Sequence, residues 1–384
     1  LTTGIDGSIY IAGITKGHDL DSDLDSNNDV RKDCSDAFLT KYDPDGNQDW
    51  TELLGSVSLA GGQSWDYGHA LATGNDGSIY IAGYTSGDLD GQDNSVGNTW
   101  RHEAYLSKYD PDGNKDWTKL LGTSEYLDSY AKALTTGNDG SIYIAGHTNG
   151  DINGQSNSGA TDAFLSKYDA EGNQTWTQLL GTSEYEEAHA LTTGSDGSIY
   201  IAGFASGDLD GQSIPAIGIS SLYNAFLSKY EADGNKGWTR LLGTGAYEDA
   251  HALTTGNDGS IYIAGSTGGD LDGQSNSGGK DAYLTKYNPD GNKDWTQLLG
   301  TTHQEYAQAL TTGRDGSIYI AGHTTGDLDG HAWRGSQDAF LTKFIDHAVI
   351  PDAETENDSI SLDQRDMVSI VNTQNEILYP GKSN

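Results

Sequence analysis

Asp6-Gly7-Ser8-Ile9-Tyr10-Ile11-Ala12-Gly13 recurs letter for letter at 76–83, 139–146, 196–203, 258–265 and 315–322. Repetition of this fidelity overrides any domain count drawn from chain length, because a repeat must be read as one structural unit that stacks on its neighbours. Inside the stretch, Ile9 and Ile11 alternate with Tyr10, the period-two signature of a strand. The Asp-Gly in front reads as a hairpin turn, with Gly supplying positive φ.

Working outward, Leu1, Leu71, Leu134, Leu191, Leu253 and Leu310 fall in phase. From Leu134 to Leu191, and from Leu253 to Leu310, the step is 57 residues by subtraction, near the size of a four-stranded propeller blade. Each unit offers four short candidate strands, exemplified by a (190–193), b (198–202), c (224–230, or 162–168 one unit earlier) and d (238–242). Between a and b lies Gly-Asn-Asp-Gly. Between c and d lies a turn such as Asp110-Pro111-Asp112-Gly113-Asn114, where Pro presets φ and Gly takes the left-handed position. In an up-and-down antiparallel blade these two turns share one face. The b–c and d–a loops share the other, and the insertions at 56–68, 95–102 and 214–222 all collect there. Long variable loops on a rigid scaffold are where binding tends to reside.

The reading is therefore all-β: a β-propeller of four-stranded antiparallel blades, six favoured, over residues 1–344. The units are 1–70, 71–133, 134–190, 191–252, 253–309 and 310–344. Strands a, b and c occur six times but d only five. Residues 345–384 read as an acidic linker plus weak strands at 368–373 and 376–379, one of which could supply the missing d; an upstream strand could do the same.

The formal net charge is −36, which opposes nucleic-acid binding and association with an anionic membrane surface. No run of 18 apolar residues exists, so no helix is expected to span a membrane. Cys34 is the single cysteine, so no intrachain disulfide can form. The chain opens in mid-pattern at Leu1, which suggests a piece of a larger polypeptide.

The run from Gly-Ser-Ile-Tyr-Ile-Ala-Gly through Asp-Ala-Phe-Leu-Ser-Lys-Tyr and Asp-Gly-Asn to Trp-Thr-Gln-Leu-Leu-Gly resembles the SBBP family of bacterial β-propeller repeats. The copies with Gly-Asp-Leu-Asp-Gly-Gln-Ser-Asn-Ser-Gly resemble its cyanobacterial version. The resemblance implies a propeller in a large secreted or cell-surface bacterial protein, allows seven blades, and implies no defined activity.

Several residue sets carry candidate chemistry. The b–c loops hold Asp-x-Asp-Gly at Asp88/Asp90, Asp208/Asp210, Asp270/Asp272 and Asp327/Asp329, and the first unit holds Asp19, Asp21, Asp23 and Asp25. Such oxygen-rich loops suit Ca²⁺, with Asp162 or Asp281 as further ligands; alternatively they are Asx turns that organise their own backbone. Trp50, Trp117, Trp176, Trp238 and Trp295 hold one position in d and read as packing between blades. Trp65, Trp100 and Trp333 lie in variable loops on the loop face and read as ligand platforms or loop anchors. His69, Lys132, His189, His251 and Gln308 occupy equivalent places in strand a. Three imidazoles could take a transition metal, but Lys and Gln in the same set favour polar lining. No catalytic signature is present. The expected function is a non-enzymatic extracellular module for adhesion or scaffolding. It would recognise a glycan or surface protein through the loop face, stabilised by Ca²⁺. The alternatives are a lyase or glycosidase with carboxylates at the channel mouth, and a purely structural spacer.

Overall fold

The computed structural model describes residues 1–16, 35–56, 64–92, 101–123, 127–213 and 223–345. Among these, six sheets follow one another along the chain, and no helix is long and apolar enough to cross a membrane. The first two sheets are β1–β4 (Thr2–Thr3, Ile9–Lys16, Ser35–Tyr42, Gln48–Leu54) and β5–β8 (Asp66–Thr73, Ile79–Thr85, Glu103–Tyr109, Lys115–Leu121). Next come β9–β12 (Ser129–Thr136, Ile142–Thr148, Asp162–Tyr168, Gln174–Leu180) and β13–β16 (Glu186–Thr193, Ile199–Ala205, Asn224–Tyr230, Lys236–Leu242). The last are β17–β20 (Glu248–Thr255, Ile261–Thr267, Asp281–Tyr287, Lys293–Leu299) and β21–β23 (Glu305–Thr312, Ile318–Thr324, Asp338–Phe344). Strands neighbour one another in sequence order, four per sheet in five sheets and three in the sixth. This is an all-β propeller built of four-stranded blades. The segments 368–373 and 376–379, expected to close the sixth blade, lie outside the described residues.

The chain forms two compact units. One comprises Leu1–Ser213 with Phe226–Thr239; the other comprises Ile214–Ala225 with Arg240–Asn384. Within the first, β5 packs on β2 and β3, β9 on β5 and β6, and β13 on β9 and β10; within the second, β21 packs on β17 and β18. These four a strands thus cover the face of the preceding blade, and the apolar alternation of the strands closes cores between them. One such core joins Leu106, Leu121, Ile142, Ile144 and Phe164.

The repeated octapeptide is explained residue by residue in the second blade. Asp76 accepts the Ser78 N–H at 3.0 Å and its hydroxyl at 2.9 Å, and Gly77 turns the chain at φ 85°. Ile79, Tyr80, Ile81 and Ala82 are buried. Tyr80 lies 6.2 Å from the Trp117 ring, with the Lys108 ammonium over its face at 5.9 Å. Gly83 is required by a close backbone approach: a Cβ there would fall 1.6 Å from the Tyr67 carbonyl oxygen. The strand-d tryptophans reach the next blade as expected. Trp50 lies against Gly113, and Trp176 Nε1 donates to the Ala232 carbonyl at 3.3 Å.

Strand c has the expected limits at Asp162–Tyr168 and Asn224–Tyr230, but strand a is longer than read. It begins at Asp66, Ser129, Glu186, Glu248 and Glu305, so the unit boundaries at 70/71, 133/134, 190/191, 252/253 and 309/310 cut through it. The reason is a seam between blades. Ser35 bridges Trp65, Thr161 bridges Tyr185 and Lys280 bridges Gln304, each in parallel. The carboxylate that follows the bridge is buried and clamped by the d–a loop. Glu186 accepts the Thr182 N–H at 2.7 Å and its hydroxyl at 2.8 Å, and Glu305 is held by Thr301 in the same way. Facing them from strand c are the buried Asp162 and Asp281, whose Oδ1 atoms have no hydrogen-bond partner. Asp162 and Asp281, considered above as calcium ligands, instead accept the Ser158 and Ser277 N–H groups and hold the loop.

Candidate functional site

Three of the positions that vary among the repeats are brought together by the fold. Two lie on strand a: Tyr67, Tyr130, Glu187, Asp249 and Tyr306, then His69, Lys132, His189, His251 and Gln308. The third follows Ile-Ala-Gly on strand b: Tyr84, His147, Phe204, Ser266 and His323. The first and third pair directly across the strands, as in Tyr67 with Tyr84 and Tyr130 with His147. The second is the extra residue of a β-bulge: Gly68 pairs with Gly83 and Ala70 with Ala82, which leaves His69 unopposed. A bulge re-aims the side chain it carries, and it recurs here at Lys132, His189, His251 and Gln308.

In the first unit these side chains merge into one array. Tyr67 stacks on Tyr84 at 4.6 Å, and His69 lies 5.3 Å from the same ring. Tyr84 meets Tyr130 edge-on at 4.8 Å, and Tyr130 meets His147 at 4.8 Å. His102 closes against both tyrosines at 5.0 and 5.3 Å, with its Nδ1 3.1 Å from the Tyr130 hydroxyl. The Lys132 ammonium sits over the Tyr84 and Tyr130 rings at 5.4 and 5.5 Å and 3.5 Å from His69 Nε2. The far end is acidic: Glu187 Oε2 lies 3.3 Å from His189 Nε2 and 3.4 Å from His147 Nδ1. Tyr67, Tyr84, Tyr130, Lys132, His147, Glu187 and His189 are each half-buried, and His69 is exposed.

Burial governs the electrostatics. It pushes His147 down to about 4, aided by Lys132, so this imidazole is neutral at physiological pH. His147 stays neutral even beside Glu187. Its Nδ1 is not aligned for a hydrogen bond to that carboxylate. Burial also raises Tyr130 to about 12 and lowers Lys132. On Glu187 burial acts upward, but the His189 hydrogen bond, His147 and Lys132 outweigh it and hold the carboxyl below its usual range. The array thus presents aromatic rings, hydroxyls and the neutral His147 imidazole, with the Lys132 cation at its centre and the carboxylates of Glu187 and Asp128 at its margins.

The second unit carries a sparser counterpart. Tyr306 stacks on His323 at 4.9 Å, Lys280 lies over Tyr247 and Tyr306 at 5.4 Å, and His251 Nε2 lies 3.3 Å from Asp249.

Of the residues named from sequence, His69 and His189 belong to the array, whereas His251 lies in the second unit. Trp65 is half-buried and stacks 6.5 Å from His102, at the edge of the array. Trp333 is 40% exposed, stacks 6.4 Å from His303, and donates its N–H to Asp327 at 2.7 Å, so it anchors its loop as well as facing solvent. Trp100, Asp19, Asp21, Asp23 and Asp25 lie outside the described residues. Tyr67, Tyr84, His102, Tyr130, His147 and Glu187 were missed. Their signal lies in variation at fixed places in the repeated strands.

In three of the four Asp-x-Asp-Gly loops the second carboxylate is already engaged by a lysine. The second Asp of each adopts a left-handed backbone, φ 54° at Asp90, 51° at Asp210, 52° at Asp272 and 51° at Asp329. Asp90 is bonded by Lys115 and Thr118, Asp210 by Lys236 and Thr239, and Asp272 by Lys293 and Thr296. A divalent ion would have to displace a lysine from each. The first Asp organises the loop: Asp270 accepts the Asn276 N–H at 2.9 Å, as Asp327 accepts that of Trp333. Asp88 and Asp208 occupy the same place in their loops and are not grouped with two further metal-binding side chains among the described residues.

Residues 116–153 match the SBBP beta-propeller repeat. The regulatory protein FlaEY of Caulobacter vibrioides is 32% identical over 230 residues, which cover 55% of this chain and 23% of that protein. An uncharacterized WD repeat-containing protein, L264, of Acanthamoeba polyphaga mimivirus is 22% identical over 369 residues, 74% of this chain and 26% of that one. The chain thus spans about a quarter of the length of these curated relatives. Similar solved structures include a protein of unknown function from Bacteroides caccae and the Pan2 WD40 domain of Neurospora crassa. The first has a TM-score of 0.43 at 10% identity, covering 85% of this chain and 89% of that one. The second has 0.41 at 12%, covering 74% and 68%.

Proposed function

We propose that this chain, which carries the SBBP beta-propeller repeat, is a recognition module that binds a glycan across the array of its first unit. One observation carries the reading: Tyr67, Tyr84, Tyr130, His102 and His147 form a continuous run of half-buried rings, within which burial keeps His147 neutral at physiological pH. Aromatic faces offer apolar area to the C–H side of a sugar, and the neighbouring hydroxyls and imidazoles can exchange hydrogen bonds with its hydroxyls. Lys132 and Glu187 add a donor and an acceptor at fixed places. In the secreted or cell-surface setting expected from the resemblance, the ligand is a wall or matrix polysaccharide.

Glycan-array screening of the wild type against Tyr84→Ala and Tyr130→Ala tests this. Signals present in the wild type and lost in both variants support it. An array with no signal, or with signals the variants retain, removes it.

A polysaccharide-cleaving enzyme is the second reading, favoured by the closeness of Lys132, Tyr130 and the neutral His147 imidazole. Proton abstraction works best when the base titrates near the operating pH. The His147 imidazole, held near 4, is a weak base at neutral pH, so the array is better suited to binding. New reducing ends or unsaturated products from a polysaccharide bound by the wild type would reverse that preference.

A further inference from the structure

The sixth blade shows what its outer strand is shaped to receive. In the other blades, strand d docks on strand c in one register. Ala37, Ala104, Ala163 and Ala282 oppose the second Leu of Leu-Leu, and Lys41, Lys108, Lys167 and Lys286 oppose the Trp. Between these positions a hydroxyl pair joins the strands: Thr40 with Thr51 at 2.8 Å, Ser107 with Thr118 at 2.8 Å, Ser166 with Thr177 at 2.7 Å, Ser228 with Thr239 at 2.9 Å and Thr285 with Thr296 at 3.0 Å.

Strand β23 repeats the receiving half of this pattern as Asp338-Ala339-Phe340-Leu341-Thr342-Lys343, yet among the described residues only β22 pairs with it. Three features there are unfilled. Thr342 is buried, and its hydroxyl has no hydrogen-bond partner where five equivalents have one. Ala339 and Phe340 line a depression with Leu328, Trp333 and Asp338, and Ala339 holds the place that in other blades opposes the buried Leu54, Leu121, Leu180 or Leu299. Tyr319 is only half-buried, whereas Tyr80, Tyr143, Tyr200 and Tyr262 are each 2% exposed against a strand-d tryptophan.

We infer that the free side of β23 is a docking site for an extended strand of the pattern Trp-Thr-x-Leu-Leu-Gly, brought by another polypeptide segment that carries this repeat. The pattern is absent after Phe344, where the sequence contains no tryptophan. Each element of the ligand has its place. Main-chain groups continue the ladder, the threonine hydroxyl meets Thr342, and the second leucine lies opposite Ala339. The tryptophan covers Tyr319 beside Lys343. The glycine is fixed by the acid at the head of strand c: a Cβ on Gly181 or Gly300 would fall 2.1 Å from the Asp162 carboxylate or 2.0 Å from that of Asp281, and Asp338 holds the same place. Edge pairing of this kind draws affinity from the main chain and specificity from alternate side chains.

The test uses the full chain and a fluorescent peptide, Lys-Asp-Trp-Thr-Gln-Leu-Leu-Gly, read by anisotropy. Saturable binding is expected. It should weaken at least about tenfold when Leu-Leu becomes Asp-Asp in the peptide, and several-fold when the peptide threonine becomes valine. Ala339→Leu, which fills the depression, should weaken binding by a similar factor, with folding checked by circular dichroism. If that variant fails to fold, the peptide variants still decide. Absence of saturable binding at millimolar peptide would mean that residues 346–384 or nothing at all occupies the edge, and would overturn the inference. Equal binding of a scrambled peptide would overturn it too.

Discussion

Asp66 offers the sharpest energetic test of the seams between blades. Its side chain is fully buried, Oδ2 accepts the Ser56 N–H at 2.8 Å and the Ser56 hydroxyl at 2.9 Å, and Oδ1 has no partner. Burial, with a further push from Asp36, raises its carboxyl from 3.8 to about 7. A raised carboxyl binds its proton more tightly in the folded state. The stability it contributes is therefore complete below pH 3.8 and is lost as pH climbs through about 7. At 1.36 kcal/mol per pKa unit the full loss is about 4 kcal/mol, of which about 3 kcal/mol falls between pH 5 and pH 8.5. Asp66→Asn keeps the shape and the acceptor for Ser56 but cannot ionise. Urea unfolding of both proteins, followed by tryptophan fluorescence across that pH range, gives a difference free of the other titrating groups. Relative to the wild type, the variant should gain about 3 kcal/mol from pH 5 to pH 8.5. A difference that stays flat with pH would refute the assignment of a protonated acid in the seam.

Three further outcomes follow from the same geometry. A Cβ on Gly146 would lie 1.8 Å from the Tyr130 carbonyl oxygen, so Gly146→Ala should lower stability by at least about 3 kcal/mol, whereas Gly154→Ala, with φ 78° and open space, should cost only about 1 kcal/mol in thermal or urea unfolding. Imidazole carbon shifts read by NMR should show His147 neutral down to about pH 5, and a titration near 6.5 would contradict its burial. Substituting Asp90, Asp210 and Asp272 together by Asn should leave any shift in melting temperature on chelator addition unchanged; a wild-type shift that the triple variant loses would return calcium to these loops.

Much of the architecture was legible because strand b opens with an unchanged Ile-Tyr-Ile-Ala-Gly and strand c keeps one apolar pattern, and their alternation and Asp-Gly turns have direct physical readings. The start of strand a was not. Residues such as Glu186 look like surface acids in a chain so rich in carboxylates, and only the Thr182 clamp and the seam reveal that they are interior. The acidic loops misled for a related reason: Asp90 meets Lys115 across 25 residues of sequence, a neutralisation that local spacing cannot display. The array was half legible. His69 and His189 stood out as histidines, but Tyr84 and His147 become their neighbours only through a cross-strand pairing and a bulge that must be placed in three dimensions. Sameness across the repeats marked scaffold, and the positions that differ held the chemistry.

Calorimetric titration of a glycan selected on the array, into the wild type and into Tyr84→Ala with Tyr130→Ala, tests glycan recognition most directly. Removing both central rings should weaken binding at least tenfold, while Trp333→Ala in the second unit leaves it within about twofold. Unchanged affinity in the double variant, or loss only on substituting Trp333, would contradict the placement of the binding site.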